Sequence, residues 1–320
     1  MDRIDRIVFW RKNPVNLVHP VNSFLGSRNM KLVRTLADLR KILSTLPKPL
    51  GLVPTMGCLH EGHLSLVRRA RAECAAVGVS IFVNPTQFGP NEDLAAYPRD
   101  LERDLTLLEG VGADVVWTPE AADVYPPGYQ THVEVLEVTK VLEGAARPGH
   151  FRGVATVVAK LFNAFTPERA YFGQKDAQQA AVIRRMAIDL NFPLEIIVCP
   201  TVREADGLAM SSRNTYLSAE ERRAATVLHR ALSAARSAYD GGERGAEALR
   251  GAMRACLEAE PLARTEYVSA AGTDTLAELD RVERDALLSM AVRIGKTRLI
   301  DNFLLRDGEW ETGTVEEQTH

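Results

Sequence analysis

Cysteine is scarce and scattered in this sequence. The four thiols, Cys58, Cys74, Cys199 and Cys256, form no Cys-x-x-Cys pair, a spacing that excludes a zinc ribbon or a small disulfide framework. It fits a reducing, cytoplasmic setting. No stretch reaches the ~18 uninterrupted apolar residues that a membrane-spanning helix requires, so no membrane partner is expected. Charge of one sign is lacking too: 39 basic against 42 acidic side chains leave a formal −3. That balance offers no field for wrapping nucleic acid. There is no internal repeat. The partner class left standing is a small molecule.

What is present is an ordinary globular composition, 46% hydrophobic and 25% charged over 320 residues, enough for a large core and for two domains. Residues 1–29 mix Trp10, Arg11, Lys12, Asn13 and Pro14 without sustained periodicity and lack the apolar core and cleavage site of a secretory signal. A transit peptide is the other reading, weakened by Asp2 and Asp5. The extension is expected to be disordered, with folding, and the true start, at Met30, where "KLVRTLADLRKILSTL" reads as a helix.

From residue 30 to 201 short apolar runs alternate with amphipathic segments, the pattern of βα units around a parallel sheet. The strands expected are "LGLVP", "VSIFV", "ADVVW" and "LEIIV". Between them, "LSLVRRARAECAA", "RDLERDLTLLEG", "GVATVVAKLFNAF" and "DAQQAAVIRRMAIDL" space apolar residues by three and four and read as helices. This is an α/β, Rossmann-like doubly wound arrangement. From 202 to 306 the texture changes to Ala- and Arg-rich helices at about 219–239 and 245–258, then to strands "TEYVSA", "LLSMAVRI" and "TRLIDNFLL". A smaller C-terminal α+β domain is expected there. Residues 307–320 are a polar, acidic tail for which little order is expected.

The stretch "VPTMGCLHEGHLSLVRRA", Val53 to Ala70, runs from a strand into a helix, so "TMGCLHEG" falls at a strand's carboxyl end, where open α/β sheets bind ligands. A helix N-terminus there favours phosphate. Gly57 and Gly62 would let the backbone approach it closely. His60 and His63, three apart, can face one ligand, and an imidazolium there would stabilise a five-coordinate phosphorus. Blander readings stay open: a cap, or solvated side chains. Metal ligation is disfavoured, because the zinc-protease pattern needs a spacing of four and no third ligand lies near. Two other nucleotide signatures fail. "IGKT" at Ile294 to Thr297 ends like a P-loop, but position 290 holds Met290 where glycine is needed; "GVGADV" at Gly110 lacks the third glycine of a dinucleotide fingerprint and reads as a turn.

The His-x-Gly-His pair resembles the HIGH signature of the nucleotidyltransferase and class I aminoacyl-tRNA synthetase superfamily. A Ser-rich phosphate motif follows downstream in that superfamily, and "AMSSRN", Ala209 to Asn214, fills the place, its hydroxyls and Arg213 suiting phosphate oxygens. Four further segments narrow the resemblance: "FVNPTQFGPNEDLAAYPR", "RPGHFRGV", "YFGQKDAQQ" and "TVREADGLAMSSRN". Together they look like the pantoate–β-alanine ligase family, over about Met30 to Leu305.

That resemblance implies a two-step ligase: pantoate carboxylate attacks the α-phosphorus of ATP, and β-alanine then displaces AMP from the acyl-adenylate. It assigns ATP to Met56, Gly57, Cys58, Leu59, His60, Glu61, Gly62 and His63, to Gly173, Gln174, Lys175 and Asp176, and to Val202, Met210, Ser211, Ser212 and Arg213. His63, His60 and Lys175 carry the catalytic roles, His63 as proton donor. Gln87 and Gln179 match the pantoate-binding glutamines, with β-alanine beside Gln87; Asn84 shares its turn. Tyr97, Arg147, His150 and Arg152 are supporting candidates without individual roles. Mg2+ is expected on the ATP phosphates rather than at a protein metal site, and the family suggests a homodimer. Read without the family, Asn84-Pro85 is an ordinary turn and Asp176 a helix cap. Departures are small: Cys58, where alanine or an aromatic is commoner, and Thr215, where glycine is. Another superfamily enzyme, such as a tRNA synthetase or cytidylyltransferase, or a non-catalytic nucleotide-binding protein, fits less well. Against a synthetase stand the missing anticodon domain and the net charge of −3; a non-catalytic protein would not need both motifs intact.

Overall fold

Six short parallel strands, buried at the centre of their sheet, organise the first part of the chain. The computed structural model describes residues 30–90 and 92–315; the extension at 1–29 and the end of the polar tail, 316–320, lie outside the described residues. In chain order the elements are β1 (Lys31–Val33), α1 (Leu36–Leu43), β2 (Leu50–Thr55), α2 (Glu61–Glu73), β3 (Ala76–Ile81), α3 (Leu101–Gly110), β4 (Val115–Trp117), the short α4 (Ala121–Val124) and α5 (Leu142–Ala146), α6 (His150–Phe165), β5 (Arg169–Gly173), α7 (Ala177–Asp189) and β6 (Glu195–Cys199). The strands lie in the order β1-β4-β3-β2-β5-β6. Leu52, Val53, Val77, Val79, Val115 and Val116 are fully buried because both faces of the sheet are covered. Helices α1, α6 and α7 pack on one face, and α2 and α3 on the other. The approach is close: a Cβ on Gly78 would lie 2.6 Å from the Phe165 ring. This is the doubly wound sheet expected from the sequence. The chain leaves β2 for β3 on one side and returns to β5 on the other, so strand order reverses between β2 and β5. That is where such sheets open a crevice at their carboxyl ends.

Two strands were not expected. The helix read from Lys31 begins only at Leu36, with Thr35 Oγ1 accepting from the Asp38 N–H at 3.1 Å. Lys31–Val33 instead pairs with Val115–Trp117 as an edge strand. Strand β5, "RAYFG", has no β-branched residue to mark it, yet it sits between β2 and β6 with Ala170 and Tyr171 fully buried.

The second part holds β7 (Val202–Arg203), α8 (Ala219–Ala224), α9 (Val227–Asp240), α10 (Ala246–Glu258), β8 (Ala263–Ala271), β9 (Ala286–Ile294), β10 (Thr297–Arg306), β11 (Glu309–Glu311) and β12 (Thr314–Val315). Strands β8 to β11 form an antiparallel sheet, with α9 and α10 packed against it around Leu228, Leu232, Met253 and Phe303. The helix read across 219–239 is two helices, interrupted at Ala225 and Thr226. "IGKT" is the β9–β10 hairpin turn: Ile294 pairs with Thr297 and Gly295 has φ +58°. Little order was expected after Leu305, but β11 pairs with β10, and β12 pairs in parallel with β7. Gly-bounded turns at Gly308 and Gly313, both with positive φ, let this polar segment fold back. No helix among the described residues is long and apolar enough to cross a membrane.

Candidate active site

Loops leaving β2, β3, β5 and β6 converge on the crevice beside the switch point. They enclose a cavity of about 220 Å³ lined by Met56, His60, Gly62, His63, Gln87, Gly173, Lys175, Asp176, Gln179, Val202, Met210, Ser211, Ser212 and Arg213. Residues spread over about half the chain, and singled out in the sequence, are thus gathered at one place. A larger cavity of about 550 Å³ shares Lys175, Asp176, Gln179, Ser211 and Arg213 with it and reaches the β9–β10 hairpin. Gly57, Cys58, Leu59, Glu61 and Gln174 do not line the smaller cavity. The first three form the turn behind it, Glu61 pairs with Arg68 along α2, and Gln174 is buried against Asn302.

The turn after β2 has left-handed backbone at Gly57 (φ +82°) and Cys58 (φ +50°). Sequence reasoning missed what holds it. Asp104 on α3, 1% exposed, accepts from the N–H groups of Cys58 (2.8 Å) and Leu59 (2.7 Å), while Arg103 donates to the Leu59 carbonyl at 2.9 Å. Burial pushes the Asp104 carboxyl up, against those two hydrogen bonds. The glycines have a packing use as well. A Cβ on Gly57 would lie 3.1 Å from Asp104 Oδ2, and one on Gly62 2.9 Å from the His60 ring. They give room to the carboxylate and the imidazole.

His60 is the N-cap residue of α2 and His63 lies in its first turn, with ring centroids 4.1 Å apart. The His60 N–H donates to His63 Nδ1 at 3.3 Å. A neutral His63 accepting there carries its proton on Nε2. Burial, then His63 and Lys175, push His60 down to about 2; burial foremost brings His63 to about 4 despite Asp176. Both are therefore neutral at pH 7 with these protein groups alone; the imidazolium considered from sequence is one held charged by a phosphoryl oxygen. The cause of the neutral state is removal from water beside other positive groups. His60 Nδ1 is buried with no partner.

The second motif closes the opposite wall. Ser211 Oγ accepts from the Arg213 N–H at 3.3 Å, and Ser212 Oγ donates to the Cys58 carbonyl at 3.0 Å, tying the two motifs directly. The Arg213 fork, assigned to phosphate from sequence, is engaged by Asp93 through two 2.9 Å hydrogen bonds. Lys175 Nζ stands 3.7 Å from Asp176 and is the loosest cation at the site.

After β3, Asn84 caps a 3-10 turn over Pro85–Gln87. Its Nδ2 donates to Gln87 Oε1 (3.0 Å) and to the Gly153 carbonyl (3.2 Å), and Gln87 Nε2 approaches Met56 Sδ at 3.2 Å. Gly153 is required here, since a Cβ would stand 2.4 Å from the Thr86 carbonyl oxygen. His150, without a role in sequence, braces the same turn: its Nδ1 and the Gln87 carbonyl are 2.8 Å apart and its Nε2 is 3.1 Å from Arg147 Nη1. Burial and Arg147 push it to about 4, so it stays neutral. Arg147 in turn pairs with Glu92 at 2.6 Å. Arg152 is exposed and takes no part in the cavity wall. An apolar part of the wall comes from Phe82, Val154, Val157, Val158, Leu161 and Phe172. None of these was singled out in sequence, where α6 read only as a packing helix; its apolar residues on nearly every face were the available signal.

An open parallel sheet whose switch-point crevice gathers two imidazoles, a lysine, serine hydroxyls and two glutamines around an apolar wall defines an α/β enzyme acting on a phosphorylated ligand. The family model for pantoate-beta-alanine ligase matches residues 31–304. The pantothenate synthetase of Roseiflexus castenholzii is 65% identical over 276 residues, covering 86% of this chain and 99% of the relative. That of Moorella thermoacetica is 56% identical over 279 residues, with 86% and 99% covered. Among solved structures, the crystal structure of pantothenate synthetase from Thermus thermophilus matches with TM-score 0.82 and 49% identity, over 85% of this chain and 98% of that one. Pantoate-beta-alanine ligase from Francisella tularensis, complexed with beta-gamma ATP and beta-alanine, matches with TM-score 0.72 and 36% identity, over 86% and 98%. The chain belongs to the pantoate–β-alanine ligase family.

Proposed function

We propose that this ligase joins (R)-pantoate to β-alanine at the crevice between β2 and β5, making pantothenate, AMP and pyrophosphate. One observation supports the placement: Ser212 Oγ donates to the carbonyl of Cys58, in the turn that leads to His60 and His63, and so joins the two motifs behind a cavity lined by Lys175 and by an apolar group of side chains. A triphosphate suits the polar side and the dimethyl-substituted carbon of pantoate suits Val154, Val157, Val158 and Leu161. Gln87 and Gln179 supply amides that both donate to and accept from a hydroxy acid.

In the first step a pantoate carboxylate oxygen attacks the α-phosphorus and the bond to the bridging oxygen of pyrophosphate breaks. His63 Nε2–H donates to the phosphoryl oxygens as charge builds on them, His60 lies beside it, and Lys175 offsets the charge of the departing pyrophosphate. The apolar wall keeps water from the mixed anhydride. In the second step the β-alanine amine attacks the acyl carbon near Gln87, loses a proton, and AMP leaves. Asp176 and the backbone of Gly173, Val202 and Met210 are assigned to the nucleoside.

Mg2+ is expected to arrive on the triphosphate. Such an ion keeps phosphate and water oxygens and needs only one or two carboxylates. Asp176, on the wall of both cavities, is already assigned to the nucleoside, so the ion is expected to be held mainly by phosphate and water oxygens. When bound, the ion would neutralise phosphate charge. A homodimer is proposed on family grounds, to be checked by sedimentation. A cytoplasmic location agrees with ATP as co-substrate and with the free thiols of Cys58, Cys74, Cys199 and Cys256.

The test is isotope exchange between pyrophosphate and ATP. Exchange should require pantoate and proceed without β-alanine; exchange independent of pantoate, or none, would sink the reading.

A further inference from the structure

Behind the two segments assigned to ATP runs a buried polar network that ties both to strand β10. Asn302 on β10 is 4% exposed, and its amide is fully used. Nδ2 donates to the carbonyls of Gln174 (3.1 Å) and Lys175 (2.8 Å), and Oδ1 accepts from Gln174 Nε2 at 3.1 Å. Its backbone N–H donates to Asp301 Oδ1 at 2.8 Å. Asp301 and Arg203, 1% and 2% exposed as side chains, form a two-pronged pair at 2.7 and 2.8 Å. Arg203 also donates to the carbonyls of Gly207, Asn302 and Thr312. All five guanidinium N–H groups are thereby engaged.

We propose that Asn302 is a positioning residue for Lys175, anchored by the Arg203–Asp301 pair. The proposal rests on the ATP assignment of Lys175 above. Asn302 has no N–H left for a ligand, so it acts through the main chain it holds. Lys175 sits on a 3-10 turn between β5 and α7, and such a turn leaves carbonyls that a buried donor can seize. Arg203 grips the other segment, next to Val202 and at the Gly207 turn that leads to Met210–Arg213. Strand β10 therefore sets the distance between the lysine and the serine motif. A fully satisfied network is rigid, and one broken member leaves buried groups unpaired. Phosphoryl transfer depends on positioning, where about 1 Å of error costs roughly 10²-fold.

The test is a double-mutant cycle in the full-length protein with Asn302→Ala and Lys175→Ala. It is read by pantoate-dependent pyrophosphate–ATP exchange and, separately, by β-alanine attack on supplied pantoyl adenylate. Asn302→Ala is expected to lower kcat/KM for ATP in exchange by roughly 10- to 100-fold, and to change aminolysis by less than about 3-fold. On the Lys175→Ala background it should add less than about 2-fold, because residues acting through one group are not additive. Multiplying effects in the double variant, or equal losses in both half-reactions, would overturn the proposal while leaving the ATP site standing. Undiminished exchange in Lys175→Ala would remove the lysine's assignment and the proposal with it. If Asn302→Ala does not fold, Asn302→Ser, which keeps one donor, goes through the same cycle under the same criteria.

Discussion

Ser212 Oγ donates a 3.0 Å hydrogen bond to the main-chain carbonyl of Cys58. Those positions are 154 residues apart in sequence, one in the histidine turn after β2 and the other in the serine turn after β6. The bond fixes the width of the crevice into which both turns face. It also explains why two serines stand together there. Ser211 caps its own turn, leaving Ser212 to reach across.

Ser212→Ala should therefore act on both stability and nucleotide binding. Losing one neutral hydrogen bond costs about 0.5–1.5 kcal/mol, and the freed turns should raise KM for ATP several-fold with little change for β-alanine. Urea titration and initial rates at varied ATP check both parts; an unchanged KM for ATP would separate this bond from nucleotide binding.

Asp104 makes a stronger case. Two buried N–H groups, of Cys58 and Leu59, end on its carboxylate, and hydrogen bonds to a charged group contribute about 1.5–3 kcal/mol each. Asp104→Ala is expected to lose about 3–5 kcal/mol in urea unfolding and to slow exchange at least as much as Ser212→Ala. Stability within about 1 kcal/mol of the parent would show that the left-handed turn holds itself.

Asp104 also marks the limit of what sequence reveals here. In "RDLERDLTLLEG" it is one of several charged residues around an amphipathic helix, and nothing in a 3.6-residue period tells a solvated carboxylate from one capping a turn 45 residues away. The same holds for Glu92 with Arg147, Asp93 with Arg213, and Asp301 with Arg203. Each pair is set by tertiary register. Strand β5 escaped because "RAYFG" lacks β-branched residues, and β1 because three residues show no period. By contrast, β2, β3, β4 and β6 were legible as apolar runs bounded by turn residues. The histidine and serine turns were legible because their residue types are rare in that order. What spacing could not supply at the site was the burial of the imidazoles beside Lys175, which pushes both below their ordinary value.

His63→Ala tests the donor role directly. Removing one preorganised donor from a charged transition state commonly costs about 10²–10³-fold, and adenylate formation in rapid quench should fall by at least that much. The fold should survive, because the ring is tied by a 3.3 Å hydrogen bond from the His60 N–H and by packing 4.1 Å from the His60 ring at the cavity wall. A near-normal burst of adenylate would contradict the assignment.

The three buried imidazoles also set a pH dependence of stability. His60, His63 and His150 are depressed from 6.5 to about 2, about 4 and about 4. Below about pH 6.5 the unfolded chain takes up protons at these positions and the folded chain does not, so stability falls as pH falls. The effect is absent above that range and strongest between about pH 6 and 4, with a slope approaching about 4 kcal/mol per unit if all three contribute fully. Urea midpoints measured from pH 7.5 to 4.5 should trace this decline. His150→Gln, which removes one titrating ring, should flatten it by about a third. A midpoint that stays level from pH 7 to 5 would mean that these rings titrate in the folded protein as they do in the unfolded chain, and that burial does not set their state.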